Sequence, residues 1–172
     1  MDLAQNVVIC DHWCNFCVVV SSESTIFLGS SEPRLDAKRR IQISHSWRLA
    51  AGATKFALVK WQTDTSMPPC VLGMLPPLLN ELVTKMNARP FSDPQAENVR
   101  RSLSKDAALV ELDGTGRLTL PVNLMEVTGL EPRSKVVVVG MFDRFQIWNH
   151  EVYHQGVSVK DDKAYPEAIK LF

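Results

Sequence analysis

The chain repeats itself. "LDAKRRIQISHSWRLAAG", residues 35–52, aligns without a gap on "LDGTGRLTLPVNLMEVTG", residues 112–129, at a constant offset of 77. Asp36 falls on Asp113, Arg40 on Arg117, Ile41 and Ile43 on Leu118 and Leu120, Trp47 on Leu124, Ala50 on Val127 and Gly52 on Gly129. A register held through turn, strand, helix and closing glycine constrains the fold more tightly than composition does. The chain is expected to consist of two small halves of one design sharing a core.

Each copy follows one physical grammar. An Asp-led turn comes first, and "DGTG" in the second copy carries the Asp-Gly pair that favours a tight turn. A short alternating strand follows, with Ile41 and Ile43, or Leu118 and Leu120, inward and Gln42 or Thr119 outward. One or two helical turns then end at Gly52 or Gly129 in the left-handed position. A buried strand comes next, "KFALVKW" or "KVVVVGM", then a second one, "CVLGML" or "RFQIW", leading into a helix. In the first copy that helix is "PPLLNELVTKMN", opened by prolines, with Leu78, Leu79, Leu82, Val83 and Met86 on one face. "RPFSDPQAENVRRSLSKD" reads as a Ser/Asp-capped helix joining the copies.

In the second copy the helical slot holds "NHEVYHQ", which spells His-Glu-x-x-His. Histidines four apart on a helix share a face, so His150 and His154 can hold one zinc ion while Glu151 activates a bound water. The obvious downstream third ligands are Asp161, Asp162 and Glu167. Gly156 leaves room for only about two helical turns, the first capped by Asn149. The first copy carries a plain packing helix in this slot. The string is therefore read as a short surface helix packing Val152 and Tyr153, with no metal assigned. A second cluster, Cys10, Cys14 and Cys17 around His12 in "CDHWCNFC", has enough donors for zinc. Its spacing is cramped, no second ligand pair stands elsewhere, and Cys70 is alone, so the segment is read as an unstructured leader of reduced thiols or as an artefact of start-codon choice.

Composition sets outer bounds. At 172 residues, 45% hydrophobic and 22% charged, the chain is globular and of single-domain size. Nineteen basic residues balance nineteen acidic ones, so attraction to nucleic acid has to come from a local patch. No apolar run approaches the ~20 residues of a membrane span. The start lacks a basic leader, and Asp11 and His12 interrupt its apolar stretch, which points to a cytoplasmic protein. A Gly-rich phosphate loop, a nucleophile elbow and a carboxylate pair are all lacking; "DGTGR" has too few glycines and no lysine in place. No enzyme is expected.

Taken together, the repeated Asp-x-x-x-Arg (Asp36/Arg40 and Asp113/Arg117), "FLGSSEPRLDAKRR", and "LDGTGRLTLPVNLMEVTGL" followed by "KVVVVGMFDRFQIWN" resemble the MraZ family. These are bacterial transcriptional regulators of the division and cell-wall gene cluster. The resemblance runs from about Phe27 to Gln155. It implies an α+β, β-dominated fold in which two AbrB-like swapped-hairpin halves, related to the MazE antitoxin, form one pseudo-twofold β-barrel with flanking and linking helices. The implied layout is a poorly ordered N-terminal extension (1–26), a first SpoVT-AbrB-like half (27–87), a linking helix (88–106), a second half (107–156) and a tail (157–172). The resemblance also implies homo-oligomeric rings on tandem promoter repeats of double-stranded DNA, hence a nucleoid-associated protein without cofactor, small-molecule substrate or membrane partner. Two positions depart from the family pattern. Arg39 stands where glycine is usual and Ser44 where proline is usual, whereas the second copy keeps Gly116 and Pro121. The backbone of the first turn is thereby left open.

Charge separates the copies. Between Arg34 and Arg48, five cations (Arg34, Lys38, Arg39, Arg40, Arg48) face one acid, Asp36, a net of +4. Between Glu111 and Arg133, two cations face four acids, a net of −2. A phosphate backbone is attracted to the first surface only, so the first copy is expected to face DNA. Lys38 and Arg39 sit at the turn tip, where an arginine fork can read guanine and a lysine can neutralise phosphate. Arg40 either clamps back on Asp36 or is released to phosphate. Asp113 and Arg117 are expected as a structural clamp. His45 and Arg48, at the helix start and one turn on, either add phosphate contacts or form a solvated face. Trp47 and Trp148 are expected in the core or a subunit contact. The competing readings are an antitoxin-like interaction module acting through the tail, and a zinc hydrolase built on His150, Glu151 and His154.

Overall fold

The computed structural model describes residues 26–51, 55–62, 65–90 and 92–158. "CDHWCNFC", Gly52 and the acids Asp161, Asp162 and Glu167 lie outside them.

Among the described residues, alternation and β-branching produce eight short strands: β1 (Ser30–Ser31), β2 (Arg40–Gln42), β3 (Lys55–Trp61), β4 (Cys70–Met74), β5 (Ala108–Glu111), β6 (Arg117–Thr119), β7 (Val136–Gly140) and β8 (Arg144–Asn149). Among the described residues the helices are α1 (His45–Ala51), α2 (Pro76–Asn87), α3 (Pro94–Lys105), α4 (Val122–Thr128) and α5 (His150–Val152), the last running into a π-helical turn at Tyr153–Val157. The fold is α+β with antiparallel pairing throughout.

The duplication in the sequence is written into the pairing. Six strands form one sheet in the order β1-β7-β8-β4-β3-β5, which reads the same backwards when the two copies are exchanged. β2 pairs with β6 so that Ile41 faces Leu118, its own counterpart. The flanking pairs Arg40–Thr119 and Gln42–Arg117 then mirror one another. Beyond the strands, Ile43 N–H donates to the Gly116 carbonyl (3.2 Å) and Leu120 N–H donates to the Arg39 carbonyl (2.9 Å), again an equivalent pair. At the sheet centre, β4 and β8 pair around Leu72 and Gln146, with Val71–Ile147 and Gly73–Phe145 on either side.

This symmetry joins an open sheet to a two-stranded ribbon. The expected barrel is not closed by strand pairing among the described residues. β2 and β6 are three residues long. They use their ladder on each other, and only an isolated bridge, Leu112–Leu118, leads back toward β5.

Between ribbon and sheet lies one core drawn from both copies: Phe27, Leu35, Ile41, Ile43, Trp47, Phe56, Leu58, Leu118, Leu120, Leu124, Phe145 and Ile147 are among its buried members. Phe27 meets Trp47 and Phe145 edge-on, each with ring centroids 5.4 Å apart, a favoured aromatic geometry. Trp47 donates its indole N–H to the Leu28 carbonyl (2.9 Å), and Trp148 is buried beside Cys70 and Val137. Both tryptophans are core residues. α4 ends as its sequence requires: Gly129 adopts φ +65° and Leu130 N–H returns to the Met125 carbonyl, the Schellman arrangement.

The linking helix α3 begins under the expected Asp cap, the Asp93 carboxylate accepting from the Gln95 and Ala96 N–H groups. On α2, Leu78, Leu79 and Leu82 pack over Ala57, Val59, Leu72 and Met74. Val83 remains 38% exposed and instead lines an apolar groove between α2 and α3.

Candidate nucleic-acid interface

The two Asp-led turns lie side by side because β2 and β6 pair. In the first, Asp36 Oδ1 accepts from the Lys38 N–H (2.7 Å) and the Arg40 N–H (2.9 Å), and Oδ2 accepts from Arg40 Nε (2.7 Å). In the second, Asp113 Oδ1 accepts from the Thr115 N–H, the Thr115 hydroxyl and the Arg117 N–H, and Oδ2 accepts from Arg117 Nε (2.8 Å). One carboxylate oxygen thus satisfies the amides two and four residues on while the second fixes the arginine four residues on. Arg40 also reaches across to Asp113, 3.8 Å away, so the cation expected as either clamp or phosphate ligand stands within the clamp.

These hydrogen bonds hold both carboxyls below the ordinary carboxylate range. For Asp36 the Arg40 backbone N–H dominates. For Asp113 the Thr115 hydroxyl does, followed by the Arg117 backbone N–H. Charged acceptors are favoured by donors aimed at them.

The open question of the first turn's backbone has a definite answer. Arg39 adopts φ +63°, the left-handed conformation that its counterpart Gly116 adopts at φ +79°. The turn keeps its shape although a side chain occupies the glycine position. The pairing on both sides imposes it, since the Arg39 N–H donates to the Asp36 carbonyl and its own carbonyl accepts from Leu120.

Gly116 is needed for a further reason. Arg48 crosses from α1 onto the second turn, donating to the Thr115 carbonyl (3.4 Å), and a Cβ on Gly116 would overlap its guanidinium. Arg48 is therefore half-buried rather than part of a freely solvated helix face. Gln42 reinforces the junction by donating to the Thr115 and Gly116 carbonyls (3.2 and 3.1 Å). Lys38 is exposed at the turn tip, and His45 is exposed at the start of α1.

Arg34 lies two residues before the first turn, bridged in antiparallel fashion to Lys135, with its guanidinium donating to the Arg133 carbonyl (3.3 Å). The equivalent place in the other copy is the pairing of Glu111 with Lys55, where the side chains form an ion pair at 2.8 Å. One copy is neutralised there while the other sets two cations on paired backbone. Arg133 and Lys135 lie about a hundred residues along the chain from Arg34, one inside the acidic stretch and one just beyond it, so local charge balance does not join them to Arg34. The repeat register does contain the signal, once strands of opposite copies are paired.

The His-Glu-x-x-His string forms the expected short helix. Asn149 caps it through the Glu151 and Val152 N–H groups. Val152 and Tyr153 pack against the Cys70, Val137 and Trp148 cluster. What its histidines face is new: His150 and His154 Nε2 lie 3.3 and 3.0 Å from the two oxygens of Glu32.

A family model described as "MraZ protein, putative antitoxin-like" matches residues 103–165. The "Transcriptional regulator MraZ" of Phenylobacterium zucineum (strain HLK1) is 33% identical over 132 residues, 75% of this chain and 78% of the relative. That of Leuconostoc mesenteroides subsp. mesenteroides is 34% identical over 128 residues, covering 73% and 82%. That of Alcanivorax borkumensis is 27% identical over 150 residues, covering 84% and 97%.

Proposed function

The chain belongs to the MraZ family, and from that premise we propose that it is a sequence-specific, DNA-binding transcriptional regulator without enzymatic activity. In this reading it acts on the division and cell-wall gene cluster by binding tandem promoter repeats as a ring-forming homo-oligomer. It works in the cytoplasm on the nucleoid; no helix among the described residues is long and apolar enough to cross a membrane. The relatives named as transcriptional regulators support the class of function.

The observation that carries the reading is the broken electrostatic symmetry of a doubled fold. Where the second copy pairs Lys55 with Glu111, the first carries Arg34 beside Lys135, a short way along the chain from Lys38 and Arg39. Two equivalent faces are therefore unequal to a polyanion. Arg34, Lys38, Arg39 and Arg48 are assigned to phosphate or base contacts, joined by Lys135 and Arg133, with His45 at the rim. Arg40 is shared between clamp and phosphate, while Asp36, Asp113 and Arg117 hold the turns in shape. We read the exchange of β2 and β6 between copies as the swapped hairpins of an AbrB-like ancestor, with the 27–87 and 107–156 segments as its two halves. The apolar groove between α2 and α3, lined by Trp61, Leu82, Val83 and Val99 among others, together with Leu109, 68% exposed on edge strand β5, supports assembly with further copies.

A patch of a few charges binds weakly at physiological salt, and a ring multiplies it through effective concentration. The test is a gel shift on the DNA upstream of the protein's own gene at several salt concentrations. Affinity should fall steeply with salt, and one isolated repeat should bind poorly. Full affinity on a single repeat would exclude the multivalent mode, and salt-independent binding would exclude the cationic patch. The antitoxin-like description of the family model keeps a second reading in view, a protein-interaction module. Co-purification of a small toxin-like partner, with Lys38→Ala and Arg39→Ala leaving DNA binding intact, would favour it.

A further inference from the structure

We infer that Glu32, His150 and His154 form a zinc site that pins the start of the first half to the end of the second. Their ligand atoms lie within 4.8 Å of one another. Both imidazole Nε2 atoms converge on one carboxylate, at 3.3 and 3.0 Å. Tetrahedral zinc with bonds of about 2.0–2.1 Å keeps its ligands roughly 3.3 Å apart, so only small side-chain shifts separate this cluster from a coordinated one. Two imidazoles and a carboxylate are a donor set that zinc accepts readily, with water completing the fourth position.

The frame beneath the ligands is rigid. Asn149 fixes the first turn of the helix. Val152, Tyr153 and Val157 seat it on the Cys70, Val137 and Trp148 cluster. The i, i+4 spacing then sets the two imidazoles side by side, ring centroids 4.5 Å apart and planes tilted by 60°. Glu32 is held from the other side: Ser31 pairs with Val138, and the Pro33 carbonyl accepts from the Val136 N–H (3.0 Å). Side-chain exposures of 32–45% leave the three ligands open to an ion from solvent.

The site is different in kind from the zinc-protease reading of the same letters. Its third ligand comes from the other end of the chain, 118 and 122 positions away, rather than from the acids after the helix, and its consequence is a cross-link between halves. Nothing in it requires Glu151 to act as a base.

The test uses the full chain with Cys10, Cys14 and Cys17 changed to serine, so that those thiols do not compete. Titration calorimetry with zinc alone should find one ion per chain. Cobalt substitution should give visible d–d bands without a sulfur-to-cobalt charge-transfer band. Glu32→Gln and His154→Ala should each weaken zinc binding by more than about tenfold. At the same zinc concentration the metal should raise the thermal midpoint of the parent clearly more than that of Glu32→Gln. Glu32→Gln is nearly isosteric and partly exposed, so its metal-free midpoint serves as the folding control. Absence of saturable zinc binding would overturn the inference. Equal binding by Glu32→Gln would also overturn it, since the metal would then rest on the helix histidines alone. The titration contains no DNA, so its outcome is independent of the promoter experiment.

Discussion

Replacing Arg39 by glycine separates what this residue does for the fold from what it does for binding. Arg39 stands at φ +63°, where an L side chain costs about 1 kcal/mol or somewhat more. Glycine removes that strain but gives back roughly 0.5–1 kcal/mol in unfolded-state entropy. Truncation also removes a buried guanidine Nε that has no hydrogen-bond partner among the described residues. The expected net change is between zero and about 1 kcal/mol of added stability, equivalent to at most ~2–4 °C in the thermal midpoint of a chain this long. Arg39→Ala retains the strain, so it should be the less stable of the two variants. On DNA the variants should behave alike. Each loses one cation, and if that cation meets a phosphate, the slope of log affinity against log salt should shrink by ~0.9. Urea unfolding and salt-dependent anisotropy on a two-repeat duplex read the two quantities independently. The reasoning fails if Arg39→Gly loses more than about 1 kcal/mol, because Arg39 would then be a packing residue. It fails equally if both variants bind DNA with wild-type affinity and slope.

Gly116→Ala should lose about 1–2 kcal/mol from its positive φ alone, and it should also displace Arg48, whose guanidinium occupies the space a Cβ would take; a wild-type denaturant midpoint would contradict both effects. Asp36 and Asp113 have lowered folded-state pKa values, so the unfolded chain binds more protons as pH falls below the ordinary carboxylate value of about 3.9. Their contribution is present above that value and lost as pH drops through the folded one, and Asp113→Asn should flatten the acid limb of stability in denaturant titrations between about pH 5 and 2. Burial pushes the Cys70 thiol up to about 12, so with the three N-terminal cysteines changed to serine, alkylation near neutral pH should proceed only through opening of the fold. Immediate labelling of the folded protein would show that Cys70 is accessible.

Much of this molecule was legible in one dimension. The constant offset between "LDAKRRIQIS" and "LDGTGRLTLP" already marked two equivalent units. Alternation picked out Ile41, Ile43, Leu118 and Leu120, all of which are buried, because side-chain direction along a strand follows from local geometry. The cap at Asn149 and the helix stop at Gly129 were legible for the same local reason. The clamp pairs were too, because an aspartate can satisfy amides two and four residues ahead without help from elsewhere. Val83 shares the expected face of α2 with Leu79, Leu82 and Met86 yet stays 38% exposed, because a helical stripe fixes which residues share a face, while the width of the neighbour decides how many are covered.

The sequence by itself determined the units, their inward faces and their unequal charge. Only the tertiary structure decided what meets what. It brought Arg34 to Arg133 and Lys135, Arg48 onto the second turn, and Glu32 to His150 and His154 across 118 and 122 positions of chain. It also drew Arg39 into a backbone conformation that its own chemistry disfavours. The physical reason is common to all four. Periodicity reports which way each side chain points, but the contacts between copies arise when one hydrophobic core closes over both of them.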